Sequence, residues 1–210
     1  MIIENVLIVD PIDGEYLGDV ILENNIIKQV IIKDNNIKDS NQKDNYQYDN
    51  ILMPGFIDTH THGYMGIDFM NSTKTDLKKW AELNFTHGVT RFYPTTVSAS
   101  IEKLKEVISN FEPILSIKGI HLEGPFINKK KKGAQNENYI YNPKFEYLKD
   151  LICDKIKLIT MAPELDGFFD VIEYITKHNV VISLGHSDGN YDDYIMAVNG
   201  KIKRVLSKDT

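Results

Sequence analysis

The sequence predicts an α/β protein built on a parallel sheet, with a small β-unit in front of it. Three observations carry that prediction. The first fifty residues are dominated by Ile- and Val-rich runs broken by turn signals. From residue 51 onward, short apolar runs alternate with segments whose apolar residues recur at helical spacing, and such alternation implies parallel strands joined by helical crossovers. Histidines and a carboxylate stand at the C-terminal ends of the predicted strands, where barrel enzymes place their sites.

The elements follow in order. Residues 1–9 and 16–32 read as strands, punctuated by Asp13-Gly14 and Asn24-Asn25. Residues 35–49 are polar and read as a loop. An apolar run over 51–58 leads into His60-Thr61-His62. The spacing predicts a helix over 75–87, with Leu77, Trp80, Ala81 and Phe85 on one face and Gly88 as its stop. A strand over 89–95 precedes a helix over 100–111, where Ile101, Leu104, Val107, Ile108 and Phe111 share a face. Strands follow over 116–123, 156–162 and 180–185, helices over 144–153, 167–178 and 191–198, and a further strand begins at 202–206. This gives a β-unit over 1–50 and a strand–helix region over 51–210 with about six strands. Doubly wound sheets and (β/α)8 barrels both begin in this way.

Composition narrows the function classes. The 210 residues carry a net charge of −6, which argues against a general nucleic-acid binder. No run of apolar residues is long enough to span a membrane. The first five residues lack the basic start and apolar core of a signal peptide. Cys153 is the single cysteine, so no intrachain disulfide can form. These features predict a soluble cytoplasmic protein.

The chemistry-bearing residues fall in three motifs. In Pro54-Gly55-Phe56-Ile57-Asp58-Thr59-His60-Thr61-His62-Gly63, the two histidines are spaced to share one face of a strand and can serve one ion. They can equally be two polar residues at a strand end. In Gly119-Ile120-His121-Leu122-Glu123-Gly124-Pro125-Phe126, Glu123 ends an apolar strand and either caps a loop or binds a cation. His121 sits deeper and reads as a hydrogen-bonded interior histidine. In Val181-Ile182-Ser183-Leu184-Gly185-His186-Ser187, a third histidine ends a buried strand. Imidazoles with a carboxylate form the ligand set of a catalytic zinc or similar ion. Such an ion acidifies water and polarises carbonyls, which suits amide hydrolysis. His87 and His178 fall at helix C-termini, where the helix dipole favours them. Cys153 reads as a small buried residue on a helix face, and Lys129–Lys132 as a solvated loop.

At this point a family resemblance is visible. The His-x-His after Pro-Gly-Phe-Ile-Asp resembles the amidohydrolase superfamily. His121-Leu122-Glu123-Gly124-Pro125-Phe126 with Lys132-Gly133-Ala134, and Gly185-His186-Ser187-Asp188 with Tyr191, are similar to the N-acetylglucosamine-6-phosphate deacetylases. The resemblance implies an incomplete (β/α)8 TIM-type barrel preceded by part of a small β-sandwich. It implies hydrolysis of N-acetylglucosamine 6-phosphate to glucosamine 6-phosphate and acetate in amino-sugar catabolism, with zinc, iron or another divalent ion. Glu123 would be the central metal ligand and His186 would join it. His60 and His62 would hold a second ion in two-metal members. Gln135, where many members have histidine, would contact substrate. The implied partners are an amino-sugar phosphate and a second copy of the chain, with no nucleic acid or membrane. The fourth strand ends in Met161-Ala162, without the lysine that bridges metals in the dihydroorotase-like branch.

The resemblance also sets an expectation about extent. After the sixth strand the family has Thr-His-x-x-Asn-Ala-Met, whereas this chain ends Arg204-Val205-Leu206-Ser207-Lys208-Asp209-Thr210. A complete barrel needs about 250 residues. The expectation is a truncated product with the catalytic aspartate beyond residue 210, so that no catalytic residue is assigned. Two other readings stand beside the deacetylase: a non-catalytic remnant that binds metal or a subunit, and an amidohydrolase of different specificity.

Overall fold

The computed structural model describes residues 1–34, 48, 50–114 and 116–200, with the backbone of Val205–Ser207. The chain divides into two units, Met1–Gly55 and Phe56–Thr210. The loop expected over 35–49 lies almost wholly outside the described residues.

The first unit is a four-stranded sheet. Its strands are β1 (Ile2–Asp10), β2 (Gly14–Glu23), β3 (Ile26–Asp34) and β4 (Asn50–Leu52), in the order β3-β2-β1-β4. Neighbours pair antiparallel, except that β4 runs parallel to β1. The predicted run over 16–32 turns at Asn24 and Asn25, whose φ angles are +52° and +61°. Positive φ at both central positions is the requirement of the tight hairpin turns that match strand twist, and asparagine tolerates it. Period-two alternation buries Val6, Ile8 and Val20 together on one face.

The second unit alternates strand and helix. Its elements are β5 (Phe56–Thr61), a short hairpin of β6 (Gly63–Tyr64) and β7 (Ile67–Asp68), α1 (Lys74–Phe85), β8 (Val89–Pro94), α2 (Ile101–Asn110), β9 (Ile120–Glu123), α3 (Phe145–Leu151), β10 (Ile156–Met161), α4 (Phe168–Lys177), β11 (Val181–Leu184), α5 (Tyr191–Asn199) and β12 (Val205–Ser207). Strands β9 to β12 form one parallel sheet in sequence order, and β5 pairs with β8 in parallel. Bridges Phe92↔Ile117 and Thr95↔His121 join β8 to the β9 segment. Successive parallel strands are thus spatial neighbours, without the reversal of order that defines a doubly wound sheet. This is the winding of a (β/α)8 barrel, present here as an incomplete one.

The helices cover the sheet through apolar stripes. Leu77, Trp80 and Ala81 of α1, Leu104, Val107 and Ile108 of α2, and Phe168, Val171, Ile172 and Ile175 of α4 join one core with Phe92, Leu122, Ile159 and Ile182 of the strands. Burial of each large apolar side chain stabilises by about 1.5–3 kcal/mol. The starts of α1 and α2 are capped by Thr73 and Ser100, whose side chains accept the N–H of Asp76 and Lys103.

Several expectations shift. The run over 51–58 breaks at Met53-Pro54-Gly55 into β4 and β5, because proline donates nothing to a ladder. The strand expected from 116 begins at Ile120, since Ile117 exchanges backbone hydrogen bonds with Ile114 instead. Phe85 ends α1 exposed rather than on its buried face. Cys153 lies beyond the end of α3 and is only half-buried, so it is not on a helix face.

Candidate metal centre

Each candidate ligand reaches the rim of the second unit by its own local device. His60 and His62 lie at the end of β5, two residues apart and therefore on one face. That end is stitched to the residue after β8: Thr61 N–H donates to Thr95 Oγ1 at 3.0 Å, and Thr95 N–H donates to Thr61 O at 2.8 Å. Glu123 ends β9, with its N–H donated to Thr96 Oγ1 at 3.1 Å. Gly124 follows at φ +67°, and a Cβ there would collide with Ser98 Oγ. His186 stands two residues past β11 at φ +52°.

These four side chains converge. The Glu123 carboxylate is buried. His60 Nε2 lies 3.2 Å from its Oε1, His186 Nε2 lies 3.3 Å from the same oxygen, and His62 Nε2 lies 3.2 Å from Oε2. His60 and His62 bring their Nε2 atoms to 3.1 Å of each other. The ligand atoms of His60, His62 and Glu123 all fall within 4.8 Å of one another.

The backbone decides what those nitrogens carry. His62 Nδ1 lies 3.1 Å from Thr95 O, and His186 Nδ1 lies 2.8 Å from Lys131 O. A carbonyl oxygen only accepts, so each Nδ1 donates a proton, and the lone pair of the neutral ring sits on Nε2. Two imidazole Nε2 atoms thus face a carboxylate, and only a proton or a cation between them can hold the group together. An imidazole whose other nitrogen donates to a carbonyl is the usual support of a metal-ligating histidine. Donors about 2.1 Å from a tetrahedral zinc are about 3.4 Å apart, close to the 3.1–3.3 Å spacings here. Glu123 Oε1 is buried and receives no hydrogen bond of good geometry. Burial opposes ionisation of Glu123, but His186, His60 and His62 outweigh it and hold the carboxyl far below the usual range. The donor set fits a divalent ion.

The neighbouring residues separate clearly. His121 is buried with Nδ1 2.7 Å from Thr59 O and Nε2 2.7 Å from Thr160 Oγ1, so it is the interior histidine the sequence predicts. Gln135 comes to the same place: its Nε2 donates to Glu123 Oε2 at 2.7 Å and its Oε1 accepts the Ser98 N–H. Lys130 and Lys131 pair with Asp188 in an exposed turn. His87 hydrogen-bonds Tyr64 Oη at 2.9 Å, and His178 Nδ1 donates to Tyr174 O at 2.8 Å. The supporting carbonyls of Thr95 and Lys131, and a carboxylate, Glu164, beside the His186 loop, were not readable in the sequence. Backbone acceptors leave no side-chain signature.

The profile of the Amidohydrolase family matches residues 51–206. The chain belongs to the amidohydrolase family. Among its amidohydrolase relatives, the N-acetylglucosamine-6-phosphate deacetylase of Vibrio furnissii is 33% identical over 165 residues, covering 74% of this chain and 41% of the relative. The Homo sapiens N-acetylglucosamine-6-phosphate deacetylase is 35% identical over 152 residues, covering 65% and 37%. The crystal structure of N-acetylglucosamine-6-phosphate deacetylase from Thermotoga maritima superposes with a TM-score of 0.84 at 37% identity, covering 98% of this chain and 54% of that one. The chain spans about two fifths of the length of the curated relatives it matches. It is thus a member of this family homologous to these deacetylases, with a His-His-Glu cluster around the buried Glu123 that suits a divalent ion. Among the described residues, no helix is long and apolar enough to cross a membrane.

Proposed function

We propose that His60, His62, Glu123 and His186 hold a divalent ion, zinc first among the candidates, in an enzyme that hydrolyses N-acetylglucosamine 6-phosphate to glucosamine 6-phosphate and acetate. The observation that carries this reading is the convergence of three imidazole nitrogens on one buried carboxylate, two of them with tautomers set by carbonyls. The substrate class comes from the relatives that bear its name. When bound, the ion polarises the amide carbonyl and brings the pKa of its water toward neutrality.

The chain's own residues divide the remaining work. Glu123 is the central ligand and offsets the ion's charge, and His186 joins it on the Oε1 side. His60 and His62 complete the site, or hold a second ion if two are bound. Gln135 donates one amide hydrogen to Glu123, and its second hydrogen serves a substrate oxygen. None of the 210 residues is assigned to proton transfer. Asp188, next to His186 in sequence, is held below the usual carboxylate range by the hydrogen bond and charge of Lys130, which suits an ion pair better than a proton shuttle. Residues 1–50 supply part of a small β-sandwich.

The test joins residues 1–206 to the part of the Thermotoga maritima relative that follows the matched region, and measures acetate release from N-acetylglucosamine 6-phosphate. Zinc-dependent release that falls at least about 100-fold in Glu123→Gln supports the reading. Release indifferent to Glu123, or faster release from an unphosphorylated amide, contradicts it.

A further inference from the structure

Glu164 follows β10 in Ala162-Pro163-Glu164 and is not one of the candidate ligands. Its carboxylate nevertheless gathers three segments. Oε1 accepts the Asn128 side-chain N–H at 2.8 Å and the Asp188 backbone N–H at 2.8 Å, and Oε2 accepts the Ser187 hydroxyl at 2.6 Å. Ser187 Oγ in turn accepts the Gly189 N–H at 2.9 Å. Asn128 closes the ring, because its backbone N–H donates to His186 O at 2.8 Å. A Cβ on Gly189 would sit 2.9 Å from Ser187 Oγ and 3.0 Å from Glu164 Oε2, so a side chain there would press on both.

The residue at the centre of this ring is His186. Its φ of +52° is a conformation that non-glycine residues adopt uncommonly and that persists only where neighbours over-determine it. We propose that Glu164 is the positioning residue for His186. Its carboxylate locks the loops after β9, β10 and β11 together, and so holds His186 Nε2 on Glu123. Charge-assisted hydrogen bonds to one ion are about twice as strong as neutral ones, which is why a carboxylate serves here. Glutamine retains an oxygen for Asn128 and Asp188, and its amide can donate to Ser187 Oγ, which has lone pairs to accept it. Alanine retains nothing.

This inference rests on the metal reading, and its test keeps the two apart. The purified 210-residue chain is titrated with cobalt(II), whose visible absorption reports the number and type of ligands. Glu164→Ala is expected to weaken binding about 10- to 100-fold and to give the spectrum of His186→Ala. Glu164→Gln is expected to restore the wild-type spectrum. The double variant Glu164→Ala/His186→Ala should bind no more weakly than His186→Ala alone. Wild-type affinity and spectrum in Glu164→Ala, or losses that add in the double variant, would overturn the inference. Should Glu164→Ala fail to fold, Ser187→Ala decides: a smaller loss with the same spectral change supports the role, and unchanged binding refutes it. Cobalt binding that ignores Glu123→Gln would sink the metal reading itself, whereas Glu123-dependent binding indifferent to Glu164 sinks only this inference.

Discussion

His186 Nε2 lies 3.3 Å from Glu123 Oε1 although the two residues leave different strands, β11 and β9. Register explains half of that approach. Ser183 pairs with Thr160, and Thr160 with Glu123, so Glu123 is level with Ser183 across β10. The left-handed backbone at His186 supplies the rest by turning the chain back over the strand ends.

Gln135 is the first place to test this packing. Its amide bridges the buried Ser98 N–H and the buried Glu123 carboxylate. Gln135→Leu leaves a buried donor and a carboxylate oxygen without that partner, and is expected to destabilise the metal-free chain by about 1–3 kcal/mol. Denaturant unfolding measures it. A change under about 0.5 kcal/mol, the range of ordinary surface substitutions, would show that the bridge is unimportant.

His121 provides the contrasting case. Its ring lies 5.0 Å from that of His60, yet both nitrogens are engaged by Thr59 O and Thr160 Oγ1. His121→Phe is expected to lower stability by about 1–3 kcal/mol, because it strands the buried Thr160 hydroxyl and removes the partner of the Thr59 carbonyl. The zinc stoichiometry should remain that of the wild type. Loss of a bound equivalent of zinc in this variant would make His121 a ligand.

The edge strand of the first unit makes a prediction about association. β3 exposes Ile26, Ile27, Val30, Ile31 and Ile32. Exposed apolar edge strands template pairing with other chains. The 210-residue chain should therefore self-associate with rising concentration in sedimentation velocity, and Ile31→Lys should reduce this. A concentration-independent monomer would contradict the expectation.

Turnover by the 210-residue chain alone should be slow. Carboxylates beside the ligands in sequence, or tied to the His186 loop, are already committed: Asp58 Oδ1 accepts the His60 N–H, Asp188 pairs with Lys130, and Glu164 accepts three hydrogen bonds. A positioned acid–base group typically contributes about 10²- to 10⁴-fold. Acetate release with added zinc should fall below the Thermotoga maritima relative by at least that factor. Release at the relative's rate, abolished by Asp188→Asn, would show that Asp188 moves the proton.

Much of this was legible in the sequence because it rests on periodicity and on ligand chemistry at strand ends. Leu104, Val107 and Ile108 mark α2 by their spacing, and His60, Glu123 and His186 each close an apolar run. What the sequence hides is of three kinds. The Thr95 and Lys131 carbonyls that set the imidazole tautomers are backbone atoms, which every residue has. The β6–β7 hairpin has strands of two residues, too short to show alternation. Glu164 draws its meaning from Asn128, Ser187 and Asp188, which adjoin it only once β9, β10 and β11 lie side by side. The break at Pro54 was visible, but the apolar residues on either side of it read as one run.

The claim on which everything else depends is that Glu123 gathers the histidines around an ion. Zinc titration of the purified chain, followed by X-ray absorption at the zinc edge, tests it most directly. The account predicts a zinc shell of imidazole nitrogens and carboxylate oxygen at about 2.0–2.2 Å. It also predicts a thermal stabilisation that grows with free zinc, reaching about 2.7 kcal/mol at a hundredfold excess over Kd, and absent in Glu123→Gln. Equal zinc binding and equal stabilisation in wild type and Glu123→Gln would contradict it.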